Sequence, residues 1–390
     1  MLLGIVGKPN VGKSTFFRCI SEADAEVGSY PFTTVGSNRG IGYVAVDCPC
    51  ERLDVDCDAS TECIEGKRKV PVKVSDVAGL VPGAAEGKGM GNEFLDAVRE
   101  ADALVHVLDV SGRTDEKGEP TEGYDVSRDV EFVEEEFDAW MYSLVEERWS
   151  ELVKEMRSSG ETPEKVIADR FSGLGIDRRD VNRVLESGPG EMQEWGGEDL
   201  EGFVKELRRE AKPVLYACNK VDVPGAEENF HRLKEEFPEN DFVPMSAQAE
   251  LTLQNAVEKG AVDYFPGDGD FELVGEVSGE QEEGLEKVRE VMQEFGGTGV
   301  QEVMEEAVFD LLDMIVVYPV EDASSYTDKD GNVLPDAVLL PKGSTPVDLA
   351  YKVHSDIGDS YAKALNAETG RAMGKDHELE DGQVVKIETQ

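Results

Sequence analysis

The chain has 390 residues, so two or three structural units are expected, and 39% hydrophobic residues are enough for a sizeable core. It carries 39 basic and 84 acidic side chains, a formal net charge of −45, which lacks the basic footprint usual in nucleic-acid-binding proteins. The sequence has neither an apolar run long enough to span a membrane nor a signal-peptide core, so a cytoplasmic protein with reduced thiols is predicted.

Acidic residues are spread along the whole chain rather than collected in one tail. The protein could bind cationic partners, or it could come from an organism with a salt-saturated cytoplasm, where screening removes the repulsion between acids. The even spread favours the halophilic interpretation, so the charge by itself says little about partners.

The chain opens with an apolar run, Leu2–Val6, that predicts a buried strand, and Lys13–Ile20 predicts a helix. Between them lies Gly7-Lys8-Pro9-Asn10-Val11-Gly12-Lys13-Ser14. This spacing between a strand and a helix is typical of a P-loop, whose N–H groups and helix N-terminus hold nucleotide phosphates. Lys13 would supply positive charge and Ser14 a hydroxyl for Mg²⁺. The predicted phosphate-binding residues are Gly7, Asn10, Val11, Gly12, Lys13, Ser14 and Thr15.

Further apolar runs at Val70–Val74, Ala103–Val110 and Val214–Cys218 are short enough for buried parallel strands. Asp76-Val77-Ala78-Gly79 follows the first of them. An acid at that point can hold the Mg²⁺ shell, and the N–H group of Gly79 can reach a γ-phosphate.

A long excursion separates the second and third of these strands. Asp115–Gly123 is a polar linker, and apolar residues from Val130 to Met156 recur at helical spacing, which predicts an amphipathic helix of about thirty residues. Shorter helical patches follow at Glu164–Phe171, Arg179–Glu186 and Leu200–Glu210. The region is predicted to be an inserted helical subdomain whose apolar stripes pack on one another, with a partner-binding arm as the alternative.

Two polar motifs follow the next strands. In Asn219-Lys220-Val221-Asp222, the Asp222 carboxylate can accept hydrogen bonds from guanine's N1–H and amino groups, a pair that adenine lacks. The Lys220 stem can lie along the base, and Asn219 can brace the loop. Ser246-Ala247-Gln248 comes after another apolar run, and its backbone is placed to meet the guanine oxygen.

The four motifs in this order resemble the signatures of translation-factor-class GTPases. Tyr30-Pro31-Phe32-Thr33-Thr34 and the stretch from Asp76 to Ala84 are similar to the two switch segments of the Obg family, with its Obg, DRG and YchF branches. Archaeal YchF-like proteins are the most similar. By this resemblance Thr34, or alternatively Thr33, would bind Mg²⁺ in the triphosphate state, and the residues expected to act in hydrolysis are Lys13, Thr34 and Gly79.

The sequence pattern changes at Ile315. The residues that follow predict several strands and a capped helix at Thr345–Ser355. Val347–His354 and Glu380–Val385 resemble the TGS domain shared by threonyl-tRNA synthetase, these GTPases and SpoT. The predicted fold is an α/β P-loop G domain with a mostly parallel sheet, a helical insertion and a small α+β TGS domain. The predicted division is 1–114 for the first part of the G domain, 115–210 for the insertion, 211–314 for its second part with a helical connector, and 315–390 for TGS.

The resemblance implies hydrolysis of GTP to GDP and phosphate by a molecular switch associated with the ribosome or the translation machinery. In the YchF branch proper the base-reading Asp is replaced by Glu, and that branch prefers ATP. This chain keeps Asp222, so GTP is predicted, with an ATP-preferring ATPase as the alternative. The acidic TGS domain gives no support to direct RNA binding.

Two positions bear on turnover. Leu80 stands where many GTPases carry a Gln that orients the attacking water, so slow hydrolysis is predicted, and a nucleotide-binding module with negligible turnover is a further alternative. In related potassium-stimulated GTPases an Asn at the position of Asn10 coordinates K⁺ near the phosphates. Asn10 is therefore either a K⁺ ligand or a brace of the loop.

Cys48, Cys50, Cys57 and Cys63 cluster in a short stretch, whereas Cys19 and Cys218 lie elsewhere. Four thiols are enough for a structural zinc site, but C-x-C-x₆-C-x₅-C is not a usual ligand spacing. Zinc, two disulfides and free thiols all remain open.

Overall fold

The computed structural model describes residues 1–21, 39–77, 98–188, 192 and 195–390. The predicted switch residues Thr33, Thr34, Gly79 and Leu80 lie outside these residues. The assignments made for them stay predictions.

In the described residues, helices and strands alternate through the first part of the chain. The strands are β1 Leu2–Val6, β2 Arg39–Asp47, β3 Cys63–Ile64, β4 Lys67–Asp76, β5 Ala103–Asp109, β6 Val214–Asn219, β7 Asp241–Met245, β8 Val262–Asp263, β9 Glu272–Leu273, β10 Met314–Val320, β11 Val338–Pro341, β12 Tyr361–Asn366, β13 Ala372–Met373 and β14 Gln383–Thr389. The α-helices are α1 Lys13–Ile20, α2 Pro49–Leu53, α3 Ser127–Ser159, α4 Pro163–Phe171, α5 Arg178–Ser187, α6 Gly197–Ala211, α7 Ala226–Glu236, α8 Ala247–Glu258, α9 Gly279–Phe295, α10 Val300–Glu305, α11 Pro346–Val353 and α12 Ser355–Asp359.

The main sheet has the strand order β2-β4-β1-β5-β6-β7, and β3 pairs with β4. The pairs β1–β4, β1–β5, β5–β6 and β6–β7 are parallel, which confirms the mostly parallel sheet. Every residue of β5 is buried, as expected for a central strand covered on both faces. The carboxyl ends of these strands meet at one edge, where open α/β sheets bind their ligands.

The long helix α3 joins the sheet to a helical core. Its first half contributes Val130, Val133 and Phe137 to clusters that contain strand residues. Its second half packs against helices α4, α5 and α6 in a separate apolar cluster. The predicted helix of about thirty residues is confirmed as 33 residues, and its apolar stripes pack on neighbouring helices.

Internal contacts divide the chain into two compact units, Met1–Ile41 with Lys73–Val303, and Gly42–Val72 with Met304–Gln390. This differs from the predicted division, which places 42–72 with the G domain. The reason lies in polar contacts inside the second unit. The buried Arg68 guanidinium donates to the carbonyls of Leu334 and Pro335, contacts that sequence periodicity cannot reveal.

The second unit contains a mixed sheet in the order β11-β10-β14-β12-β13. Strand β10 pairs antiparallel with β11 and parallel with β14. Helix α11 begins with a capping box, in which Thr345 and Asp348 satisfy each other's backbone N–H groups. Leu349 of this helix is buried in a core with strand residues, so the predicted capped helix and strands are confirmed.

None of the helices in the described parts of the chain combines the length and apolarity that crossing a bilayer requires.

Candidate nucleotide-binding site

The loop from Gly7 to Ser14 connects β1 to α1 at the carboxyl edge of the sheet. Gly7 has φ +149°, and a Cβ atom there would lie 2.6 Å from the Val107 carbonyl oxygen. Gly12 has φ +97°, and a Cβ atom there would lie 2.1 Å from Nδ2 of Asn219. Both positions therefore require glycine for conformation and for space.

Asn219, at the end of β6, ties the phosphate loop to the start of α8, just after β7. Its Nδ2 donates to the carbonyl oxygen of Val11 at 2.7 Å, and its Oδ1 accepts from the backbone N–H of Ala247 at 3.0 Å. The residue is buried, so the bonds are shielded from water. These contacts bring three of the predicted motifs together, and the bracing role of Asn219 stays a prediction.

Lys220 makes a second connection to the same loop. It has φ +69°, and its Nζ donates to the carbonyl oxygen of Asn10 at 2.8 Å and lies 2.7 Å from Oδ2 of Asp109. Asp109 is buried and also accepts hydrogen bonds from Ser111 and Thr114. The sequence analysis did not single out Asp109, although an acid that ends the largely apolar run of a parallel strand was the available signal.

Asp222 follows on the same loop, and its side chain is held in place. Its Oδ1 accepts from the hydroxyl of Ser246 at 2.6 Å. The Ser246 oxygen in turn accepts from the N–H of Ala249 at 3.1 Å and caps α8. Asp222 and Gln248 are exposed. A carboxylate is thus fixed at the carboxyl edge with access for a ligand.

The residues predicted to hold Mg²⁺ lie at the same edge. Lys13 Nζ lies 3.6 Å from Oδ1 of Asp76, and within the described residues this buried oxygen has no hydrogen-bond partner. Ser14 is exposed in the first turn of α1. A hydroxyl and an unsatisfied carboxylate oxygen are hard donors of the kind that Mg²⁺ prefers, so the residues fit the ion. The third predicted ligand, Thr34, lies outside the described residues.

The other lysine of the loop, Lys8, has a different environment. Its Nζ lies 2.7 Å from Oδ2 of Asp129, donates to the Thr114 carbonyl at 2.9 Å, and sits 3.9 Å from the centre of the Tyr124 ring. Burial raises the pKa of Asp129, whereas the ion pair with Lys8 opposes that rise. Lys8 is buried and fully engaged, so it is not available to a ligand, and the assignment of phosphate binding to Lys13 stays a prediction.

Asn10 braces the phosphate loop in this structure. It has φ +65°, and its Nδ2 donates to the Gly118 carbonyl at 2.9 Å. The contact joins the loop to the polar linker that precedes α3. The amide oxygen is the atom that a potassium ion would use, so the K⁺ assignment stays a prediction beside the bracing contact.

The four clustered cysteines lie in the second compact unit. The Sγ atoms of Cys48, Cys50, Cys57 and Cys63 all lie within 4.8 Å of one another. Each is a free cysteine, as are Cys19 and Cys218. Burial alone would raise the pKa of the Cys48 thiol, but hydrogen bonds from Cys50 and the charge of Arg68 lower it overall.

Comparison with known proteins gives consistent matches along the chain. Residues 2–138 match a family described as 50S ribosome-binding GTPase. Residues 217–322 match the G4 motif-containing domain of YGR210-like Obg-like GTPases, and residues 325–389 match the TGS domain.

Whole-chain relatives extend the similarity. A GTP-binding protein of Methanocaldococcus jannaschii is 46% identical over 99% of this chain and 98% of its own. A GTP-binding protein of Schizosaccharomyces pombe is 34% identical over 88% of each chain. The ribosome-binding ATPase YchF of Bacillus subtilis is 33% identical over 60% of this chain and 61% of its own.

Two solved structures share the fold. A GTP-binding protein from Pyrococcus horikoshii superposes with a TM-score of 0.78 at 38% identity and covers 100% of both chains. The YchF GTPase of Schizosaccharomyces pombe gives a TM-score of 0.57 at 19% identity, over 100% of this chain and 97% of its own, which supports the fold alone.

Proposed function

Because this chain belongs to the Obg-like family of P-loop GTP-binding proteins, we propose that it binds GTP with Mg²⁺ and hydrolyses it to GDP and phosphate. The single observation that carries the proposal is the joining of the motifs by Asn219, which donates to Val11 and accepts from Ala247. The phosphate loop and the start of α8 are thereby held next to each other at one edge of the sheet.

The choice of guanine rests on Asp222. A carboxylate accepts hydrogen bonds only, and guanine presents two adjacent donors to it, whereas the corresponding edge of adenine does not. The hydroxyl of Ser246 holds one oxygen of this carboxylate, which lowers the entropic cost of positioning it for a base. The pairing is charge-assisted and therefore stronger than one between neutral groups.

At the phosphates, the chain supplies backbone N–H groups from Gly7 to Ser14, the N-terminus of α1, and the ammonium group of Lys13. Ser14 and Asp76 would hold Mg²⁺, which when bound neutralises negative charge on the phosphate oxygens. The ammonium group of Lys13 lies 3.6 Å from Oδ1 of Asp76, so the lysine and this proposed Mg²⁺ ligand share one side of the site.

Intrinsic hydrolysis is expected to be slow, since Leu80 cannot orient water. We propose that K⁺, held in part by the amide oxygen of Asn10, supplies positive charge near the phosphates. Hydrolysis should then be faster in KCl than in NaCl at equal ionic strength, and Asn10→Ala should remove the difference. Equal rates in both salts would refute the potassium role.

We further propose that the bound γ-phosphate is read by the ribosome, in the manner of a switch. Support comes from the names of similar proteins, among them a ribosome-binding ATPase, and from the TGS domain. Co-sedimentation with ribosomes should be stronger with a non-hydrolysable GTP analogue than with GDP. Binding that ignores the nucleotide would rule out a nucleotide-controlled switch.

Single-turnover hydrolysis of γ-labelled GTP, with and without ribosomes, tests the enzymatic part. We expect slow release of phosphate from the chain alone and faster release with ribosomes. No release under either condition would leave a nucleotide-binding module. An ATPase is the competing assignment, because similar proteins of Bacillus subtilis and rice are named ATPases.

A further inference from the structure

We propose that Cys48, Cys50, Cys57 and Cys63 bind one zinc ion through their four sulfur atoms, in a structural site of the second compact unit. The nucleotide site uses none of these residues. The inference therefore stands independently of the proposed function.

The distances between the sulfur atoms suit a single metal ion. The Sγ atoms of Cys48 and Cys57 are 4.0 Å apart, and those of Cys50 and Cys63 are 3.9 Å apart. Zinc–sulfur bonds of about 2.3 Å in a tetrahedron place the sulfur atoms about 3.8 Å apart. An iron–sulfur cluster divides its thiolates among several iron atoms and would spread them more widely.

The chain around these cysteines has little regular structure of its own. Cys48 lies between the end of β2 and the short helix Pro49–Leu53, Cys57 lies in a loop, and Cys63 starts the two-residue strand β3. Nevertheless Cys48 and Cys50 are only 4% and 8% exposed. A segment that gathers thiols without an apolar core is the kind that a structural metal commonly holds.

The buried Arg68 supplies an independent reason for negative charge at this point. Its side chain is fully buried and donates to two backbone carbonyls, and its Nε has no hydrogen-bond partner within the described residues. Those residues also give it no carboxylate partner. A buried cation without a counter-charge is costly. A zinc ion with four thiolates carries a net charge of −2 and would compensate it, and Arg68 lies opposite Cys63 in the β3–β4 pair.

The site would also fix the contacts that follow it. Between the last two cysteines, the N–H of Asp58 donates to the Val333 carbonyl at 2.8 Å, and that of Ser60 donates to the Pro335 carbonyl at 2.8 Å. These bonds hold the cysteine segment to the start of the C-terminal domain. We therefore expect loss of zinc to lower the unfolding temperature of this unit.

Metal analysis of the full chain, purified under reducing conditions, tests the site. We expect one zinc per chain, and exchange with Co²⁺ should give thiolate-to-cobalt charge transfer and the intense visible bands of tetrahedral cobalt. Cys57→Ser and Cys63→Ser, at half-buried positions, should lower the affinity for zinc at least tenfold. The matched control Cys19→Ser changes a half-buried thiol outside the cluster and should keep the zinc.

Titration of the unmodified chain with a mercurial reagent, in the presence of a zinc-sensitive dye, needs no variant. Zinc should be released as the reagent modifies the cysteine sulfur atoms. The site would be overturned if the reduced chain, supplied with zinc and then desalted, retains none. Iron in place of zinc, disulfides between these cysteines, or full retention of zinc by Cys63→Ser would also overturn it.

Discussion

We expect discrimination between nucleobases to depend on Asp222. With Asp222→Asn, the side chain presents an N–H donor to guanine's own donors, and GTP affinity should fall about 10- to 100-fold, the loss expected for charge-assisted hydrogen bonds. Xanthosine triphosphate carries a carbonyl where guanine has its amino group, so its affinity should rise. Competition binding with GTP and with xanthosine triphosphate measures the two affinities.

The matched control for that variant is Asp241→Asn. Asp241 is an exposed acid at the start of β7, at the opposite end of the strand from the binding edge. Asp241→Asn removes the same negative charge and should leave the affinities for GTP and xanthosine triphosphate unchanged. If Asp222→Asn binds GTP as tightly as the native chain does, Asp222 does not read the base.

The two lysines of the phosphate loop should respond differently to substitution. Lys13→Met removes charge from the phosphates and should weaken GTP binding about 100-fold, with little change in folding. Lys8→Met leaves Asp129 buried without its ion pair and should lower the free energy of unfolding by about 3 kcal/mol. Nucleotide titration and denaturant unfolding of both variants separate the roles. Equal losses of affinity and of stability in both variants would contradict the assignment.

His106 should make folding sensitive to mild acid. Burial, aided by the charge of Lys8, lowers its pKa from 6.5 to about 3, so between these values the unfolded chain binds a proton that the folded chain does not. This contribution to stability is complete above pH 6.5 and falls as the pH drops, by about 2 kcal/mol at pH 5. Unfolding from pH 7 to 5 should show this slope in the native chain and lose it in His106→Leu.

The control for the acid effect is His231→Gln, since the His231 side chain is 62% exposed. It should keep the slope of the native chain. An unchanged slope in His106→Leu would mean that carboxylates, not the buried imidazole, cause the acid sensitivity.

At the scale of elements, helix α3 should behave as two halves with different roles. Leu152 is fully buried in the helical core, and Leu152→Ala should lower the free energy of unfolding by about 3 kcal/mol, the cost of a cavity in a packed core. The neighbouring Glu151 is exposed, so Glu151→Ala should change the free energy of unfolding by less than about 0.5 kcal/mol. GTP affinity should stay the same in both. A Leu152→Ala chain of native stability would point to a loosely packed arm.

The elements that the sequence predicted well are those with one dominant signal. Continuous apolar runs marked β1, β5 and β6, and helical spacing marked α3, because burial on both faces or along one stripe leaves a simple pattern. Strand β2 was missed, since glycines interrupt it and its residues are only partly buried. Asp109 and Arg68 were missed because the contacts that reveal them, with Lys220 for Asp109 and with the Leu334 and Pro335 carbonyls for Arg68, join residues distant in sequence.

At the scale of the whole molecule, the sequence also predicted which motifs meet but not how they are joined. The order of the motifs along parallel strands placed them at one edge, which follows from topology alone. The hydrogen bonds of Asn219 and Lys220 with the phosphate loop, and the grouping of residues 42–72 with the C-terminal domain, depend on three-dimensional contacts. The net charge of −45 bears on solubility and salt response rather than on this site.

We expect this edge of the sheet to bind GTP in preference to ATP. The most direct measurement is displacement of a fluorescent GDP analogue from the unmodified full chain by GTP and by ATP, with Mg²⁺ present. The fixed carboxylate of Asp222 predicts displacement by GTP at concentrations at least tenfold lower than by ATP, a difference of about 1.4 kcal/mol or more. Equal displacement by both nucleotides, or stronger displacement by ATP, would show that Asp222 does not select guanine.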